Sequence, residues 1–219
     1  MNAIEDAMRH LRKKESPDAL LAVLKDRFLS AGGILESGTP QLVSAGLTEP
    51  EAQLFDLIPD LTRHVTRMKF GERPVINRLS VAGEYLKTLY TGVPIEQFYA
   101  LYLNASGRLI QCKLLQKGSV DEAPFYLDQV LQDVILTGAE AIVLSHNHPG
   151  GTLRPSKADL RCTLNAISAL YSLNVPLLDH IIVADDQAVS LRDNAFVPIA
   201  LWINQDPSSA LLRNWLQNP

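Results

Sequence analysis

The sequence predicts an α/β protein in which a mixed β-sheet is flanked by helices and preceded by an all-helical N-terminal domain. Three observations predict it. After Gly92, strand-like and helix-like segments alternate, the pattern that builds a sheet covered by helices. Ala141-Ile142-Val143-Leu144 is an unbroken apolar run of the kind that fits a fully buried strand. Ahead of Gly92, apolar residues recur instead at helical spacing between Gly and Pro punctuation.

Residues 1–16 are polar, with Arg9, Arg12, Lys13 and Lys14 bunched before Glu15-Ser16, and are expected to be a solvated terminus rather than a nucleic-acid arm. Ser16-Pro17-Asp18 is a helix start, and Leu20, Leu21, Val23, Leu24 and Phe28 follow at helical spacing until Gly32-Gly33. A short helix from Pro40 closes at Ala45-Gly46. Thr48 then caps a third, with Glu51 at the capping-box position and Leu54, Phe55, Leu57, Ile58 and Leu61 as the expected buried stripe. Arg63, His64, Arg67, Lys69 and Arg73 read as a solvated basic face. Gly71-Glu72-Arg73-Pro74 breaks that helix, and Val75–Tyr90 is amphipathic again. Thr91-Gly92-Val93-Pro94 places the boundary, giving a helical domain at 1–92 and a sheet domain at 93–219 with a C-terminal extension from about residue 199.

In the second domain, Glu96 to Leu103 opens as a strand, Asn104-Ala105-Ser106-Gly107 is a hairpin turn, and Arg108 to Leu115 returns antiparallel. Tyr126 to Leu136 is helical, with Leu127, Val130, Leu131, Val134 and Ile135 inward. The buried strand follows to His146, then a loop, a helix from Ser156 to about Leu173, and strands at Leu177–Ala184 and Ala188–Leu191. The tail from Ile199 carries Trp202, Leu211, Leu212 and Trp215. These residues suit either a helix packed on the domain or a surface for self-association.

The loop carries the chemistry. His146 and His148 stand where the buried strand runs out, and residues two apart in an extended chain point to the same side. Asn147 is expected to face away. Pro149-Gly150-Gly151 forces a turn, and the helix opening at Pro155-Ser156 brings Asp159 back within its first turn. Two imidazoles and a carboxylate make a three-ligand zinc set with a fourth position open for water. A plain alternative exists for part of this: Ser156-Lys157-Ala158-Asp159 also approximates a capping box.

The spacing His146-Asn147-His148, seven residues, Ser156 and Asp159 resembles the His-x-His, x7, Ser-x-x-Asp signature of JAMM (MPN-type) zinc hydrolases. His-Asn-His-Pro and Pro-Ser-x-x-Asp resemble the RadC-like branch in particular, as do Thr163, Leu178–Val183 and Ser190-Leu191-Arg192, so the resemblance covers roughly residues 93 to 195. It implies a cytidine-deaminase-like mixed sheet, one Zn2+ per chain on His146, His148 and Asp159, and a metallopeptidase or isopeptidase-like activity on a protein or peptide substrate. It also promotes Glu96, by its residues alone a surface carboxylate, to general base and Ser156 to hydrogen-bond donor toward the oxyanion. His180 is left between a supporting role beside the ligands and a merely structural one. RadC-like chains carry an N-terminal helix-hairpin-helix module as well, which implies a second reading: a DNA-repair or recombination accessory protein with a structural zinc site. Here the turn Ala45-Gly46-Leu47-Thr48 lacks one glycine, and Glu49 and Glu51 bring carboxylates to where a phosphate would sit, so the module reads as degenerate. Pro124-Phe125-Tyr126 stands where that branch usually shows Pro-Arg-Glu.

Composition narrows the classes. At 219 residues with 47% hydrophobic and 20% charged residues the chain has ordinary globular composition, and a formal charge of −4 supplies no overall pull toward nucleic acid or anionic membrane. Cys112 and Cys162 form no Cys-x-x-Cys pair and read as free thiols in a reducing compartment. The first residues lack a signal-peptide pattern and no apolar run reaches spanning length, so a cytoplasmic location is expected. There is no His-Glu-x-x-His helix, and neither histidine of the loop is followed at i+2 by the glutamate that zinc deaminases use.

Overall fold

The computed structural model describes residues 2–12, 17–28, 31–118, 124–205 and 209–217, and the side chains of residues 2, 31, 32 and 124–126 are not described. Lys13, Lys14 and the Ser16 helix start, and the side chains of Pro124-Phe125-Tyr126, therefore lie outside the described residues. Contacts divide the chain into two compact units, one of residues 1–65 with 91–94 and one of 66–90 with 95–219.

The first unit is helical: α1 (Asn2–Leu11), α2 (Asp18–Phe28), α3 (Ala31–Leu35), α4 (Thr39–Ser44) and most of α5 (Glu49–Met68). Helix α1 corrects the expectation of a solvated terminus. Ile4 and Met8, one turn apart, are buried with Leu21, Leu24, Leu42, Ala52 and Phe55. Gly32-Gly33 does not stop a helix; both glycines lie inside short α3. The buried side of α5 also differs from the expected stripe. Ala52, Phe55 and Pro59 are buried, while Leu54, Leu57 and Leu61 are 42%, 56% and 58% exposed. Small Ala52 permits close approach around Phe55, and that outweighs the longer leucine row in deciding which face turns inward. The start of α5 is closed by its own chain: Glu51 Oε2 accepts from Thr48 N and Thr48 Oγ1, both at 2.8 Å, and takes Arg12 Nη2 at 2.7 Å.

The second unit is a five-stranded sheet in the order β2-β1-β3-β4-β5, with β1 (Gln97–Leu103), β2 (Leu109–Lys117), β3 (Ala141–Asn147), β4 (Leu177–Ala184) and β5 (Gln187–Ser190). Pairing is antiparallel except between β3 and β4. That parallel pair requires a crossover, which α8 (Lys157–Tyr171) supplies. Helix α6 (Leu79–Tyr90) starts later than the amphipathic pattern suggests, because Val75 is extended and bridges Arg108. It packs on β4 and β5, within the sheet unit.

Alternation assigns the two sheet faces. Phe98, Ala100, Tyr102, Ile142 and Leu144 face one side and pack with Val130 and Val134 of α7 (Pro124–Thr137), Ile167 and Leu170 of α8, and Trp202 of α9 (Ile199–Ile203). Leu101, Leu103, Val143, Ile181 and Val183 face the other, with Leu86 and Leu89 of α6 and Leu212 and Trp215 of α10 (Ala210–Gln217). Trp202 and Trp215 are fully buried, so the described part of the tail packs on both faces of its own domain. Burial on both faces is why β3 opens as the continuous apolar run Ala141–Leu144 and why β4 is apolar except at Asp179 and His180. Among the described residues no helix is long and apolar enough to cross a membrane, and neither cysteine is in a disulfide.

Candidate metal centre

His146 shares the face of Ile142 and Leu144, so β3 delivers it at the sheet's end beneath the first turn of α8. Its ring is fully buried, with the Phe98 ring stacked parallel to it at 5.7 Å between centroids. His148 lies just past the strand, held by its own N–H donating to Val183 O at 2.9 Å. Gly151 adopts φ +76°, a conformation that L side chains rarely take, and its N–H closes the turn on His148 O at 3.0 Å. Asp159 sits three residues past the N-cap of α8, 2% exposed.

The capping box expected from the plain alternative is present: Ser156 N donates to Asp159 Oδ2 at 2.6 Å, and Asp159 N to Ser156 Oγ at 3.1 Å. It coexists with the cluster. Asp159 Oδ1 lies 3.2 Å from His146 Nε2, Oδ2 lies 3.6 Å from His148 Nε2, and the two Nε2 atoms are 2.9 Å apart. With Glu96, partly exposed, these residues place one ligand atom each within 4.8 Å of one another.

Hydrogen bonding determines which atoms face the centre. Thr163 Oγ1 has one proton and gives it to Asp159 O at 2.7 Å, because a carbonyl only accepts. His180 Nδ1, 2.6 Å from the same hydroxyl, must then donate to it. Burial pushes the His180 imidazole well below its ordinary pKa, so it is neutral and its Nε2 is an acceptor. His146 Nδ1, 2.9 Å away, donates to that nitrogen and turns a bare Nε2 toward the cluster. His148 reaches the same state independently, its Nδ1 donating to Thr152 O at 2.8 Å. Two bare lone pairs at 2.9 Å repel unless a proton or a cation stands between them.

Electrostatics favour that positive charge. Burial pushes the Asp159 carboxyl up, but the imidazoles of His146 and His148 against its oxygens, once a proton stands on Nε2, together outweigh burial and hold it well below the usual carboxylate range. The same carboxylate raises the pKa of His148, against the opposing effect of its burial. The separations of 2.9 Å between the two Nε2 atoms, 3.2 Å from one of them to Asp159 Oδ1 and 3.6 Å from the other to Oδ2 are each within a few tenths of an ångström of the edge of about 3.3 Å that a tetrahedron with bonds of about 2.0–2.1 Å requires. Two imidazole nitrogens and carboxylate oxygens are a donor set that zinc accepts.

His180 and Thr163 thus belong to the centre through hydrogen bonds, as metal-ligating histidines commonly require of their other nitrogen. Residue spelling alone left His180 undecided. Its signal was the register of two parallel strands, in which Leu144 pairs with His180 and places it diagonal to His146. Asn147 faces away from the histidines as alternation demands, yet its amide bonds Gln97 N at 2.7 Å and Ile95 O at 3.1 Å, on either side of Glu96.

A mixed sheet whose parallel crossover brings a helix-borne carboxylate onto a histidine pair at a strand end defines a JAB-type metal-site domain. Residues 76–196 match the RadC-like JAB domain, and the chain belongs to that family, one of JAMM-type metal-dependent hydrolases. It is 38% identical over 130 residues to a UPF0758 protein of Stenotrophomonas maltophilia, covering 59% of this chain and 55% of that protein. A UPF0758 protein of Variovorax paradoxus is 31% identical over 176 residues, 80% of this chain and 78% of the relative. One of Methylibium petroleiphilum is 29% identical over 179 residues, 81% of each.

Proposed function

We propose that the protein is a zinc-dependent hydrolase that cleaves a peptide or isopeptide-like amide. The observation that carries this is the pair of bare Nε2 atoms at 2.9 Å, with carboxylates of Asp159 and Glu96 around them. His146, His148 and Asp159 hold the ion in this reading. When bound, zinc supplies a Lewis acid for the amide carbonyl and a water of pKa lowered to about 7. Glu96 takes the proton from the attacking water and returns it to the leaving nitrogen as the C–N bond breaks. Ser156 Oγ accepts the Asp159 amide, so its own proton is available to the developing oxyanion.

Metal analysis of protein purified without chelators, joined to a peptide-library cleavage assay, tests the function. One zinc per chain with cleavage that stops in Glu96→Gln supports it. A chain that takes up no divalent ion sinks it.

A further inference from the structure

We infer that Asn147 is a positioning residue for Glu96: its side-chain amide continues the β1–β3 ladder past the point where backbone pairing ends and so fixes where the Glu96 carboxylate stands. The inference rests on the proton-transfer role proposed for Glu96.

Pairing of β1 with β3 ends at Phe98 and His146. One residue further, Asn147 Oδ1 accepts from Gln97 N at 2.7 Å and Asn147 Nδ2 donates to Ile95 O at 3.1 Å. Glu96 lies between these two tethers. Its own carbonyl accepts from Gly118 N at 2.8 Å, so the segment is held from the β3 side and the β2 side at once. With the backbone fixed, the carboxylate reaches the ligand atoms of His146, His148 and Asp159, all within 4.8 Å of one another. Asn147 is 4% exposed, so water does not replace a lost partner cheaply.

The amide chemistry is specific. One donor and one acceptor on a single-methylene stem are needed. Aspartate keeps the acceptor for Gln97 but turns an oxygen toward the Ile95 carbonyl and adds negative charge beside Glu96. Alanine leaves both backbone groups unpaired. Precise placement matters because a proton-transfer group must stand within hydrogen-bond reach of the water it serves.

The test uses the full chain loaded with cobalt(II), whose visible absorption reports the surroundings of the ion, together with amide hydrogen exchange at Gln97. Wild type, Asn147→Ala, Glu96→Gln and the double variant are compared, and Asn147→Asp, nearly equal in volume, replaces the alanine variant if that one does not fold. Asn147→Ala is expected to keep one cobalt per chain and to speed Gln97 exchange about tenfold. Its spectrum should change in the direction that Glu96→Gln sets, with the double variant matching Glu96→Gln alone. A wild-type spectrum for Asn147→Ala beside an altered one for Glu96→Gln overturns the inference, as do additive changes in the double variant. A wild-type spectrum for Glu96→Gln itself overturns the role of Glu96, and this inference with it.

Discussion

Two stretches of the molecule open a helix with a Ser or Thr followed three residues later by a carboxylate, and they treat that carboxylate in opposite ways. At Thr48–Glu51 the acid is used up locally: it holds the Thr48 amide and hydroxyl and a forked pair of bonds from Arg12 at 2.6 and 2.7 Å. At Ser156–Asp159 the carboxylate likewise holds the N-cap amide, with the Ser156 hydroxyl accepting from the Asp159 amide instead, yet each carboxylate oxygen also lies against a histidine nitrogen whose lone pair is bare. A carboxylate that holds the N-cap amide is therefore compatible with either a closed end or a binding centre. What decides is whether the second partner is a guanidinium, which only donates, or an imidazole held in the tautomer that accepts.

Substitutions can break this contrast, beginning with those that act on the centre directly. In the proposed reading Asp159→Ala removes one ligand and the attraction for positive charge together, so zinc content by metal analysis is expected to fall from one per chain to near zero. In that same reading Glu96→Gln is expected to leave the ion in place and to slow amide hydrolysis by about 10²–10⁴-fold in turnover assays. Thr163→Val cuts the hydrogen-bond chain that sets the His146 tautomer. Zinc affinity in chelator competition should weaken by about 10–100-fold.

At the closed end the effects are smaller and concern stability. Glu51→Gln keeps the cap in part but loses the charge pair with Arg12, a cost of about 1 kcal/mol in denaturant unfolding once solvent screening is allowed for. The hydrogen bond from Arg12 lowers the Glu51 pKa to about 2, so its stabilisation is fully present above about pH 4.5 and disappears as pH falls toward 2. Acid titration of Glu51→Gln should lack that component, with zinc content at neutral pH unchanged. Smallest of all, Leu57→Ser on the exposed side of α5 should shift stability by no more than about 0.5 kcal/mol.

The sheet and the convergence of His146, His148 and Asp159 were legible because each rests on local periodicity: two residues per strand repeat, and one turn at a helix start. The hydrogen-bond chain through Thr163 and His180 was not, since it needs the register of β3 against β4 and the height of α8 above them. Helix α1 escaped notice because, among its described side chains, Ile4 and Met8 are the only large buried ones, set among charged neighbours. In α5 two apolar rows competed, and the sequence favoured the longer one. The shorter row, built on Phe55 with small or rigid neighbours, packs more closely.

The stacked ring of Phe98 has a consequence for traffic. It closes one side of the cluster as His180 closes another, each ring lying against the fully buried His146. His148, 13% exposed at its side chain, and partly exposed Glu96 form the flank that meets solvent. Among the described residues, that flank is the side on which the cluster meets water. The turn from His148 to Thr152 borders it, and the Thr152 carbonyl that holds the His148 ring at 2.8 Å fixes how that side of the cluster faces outward.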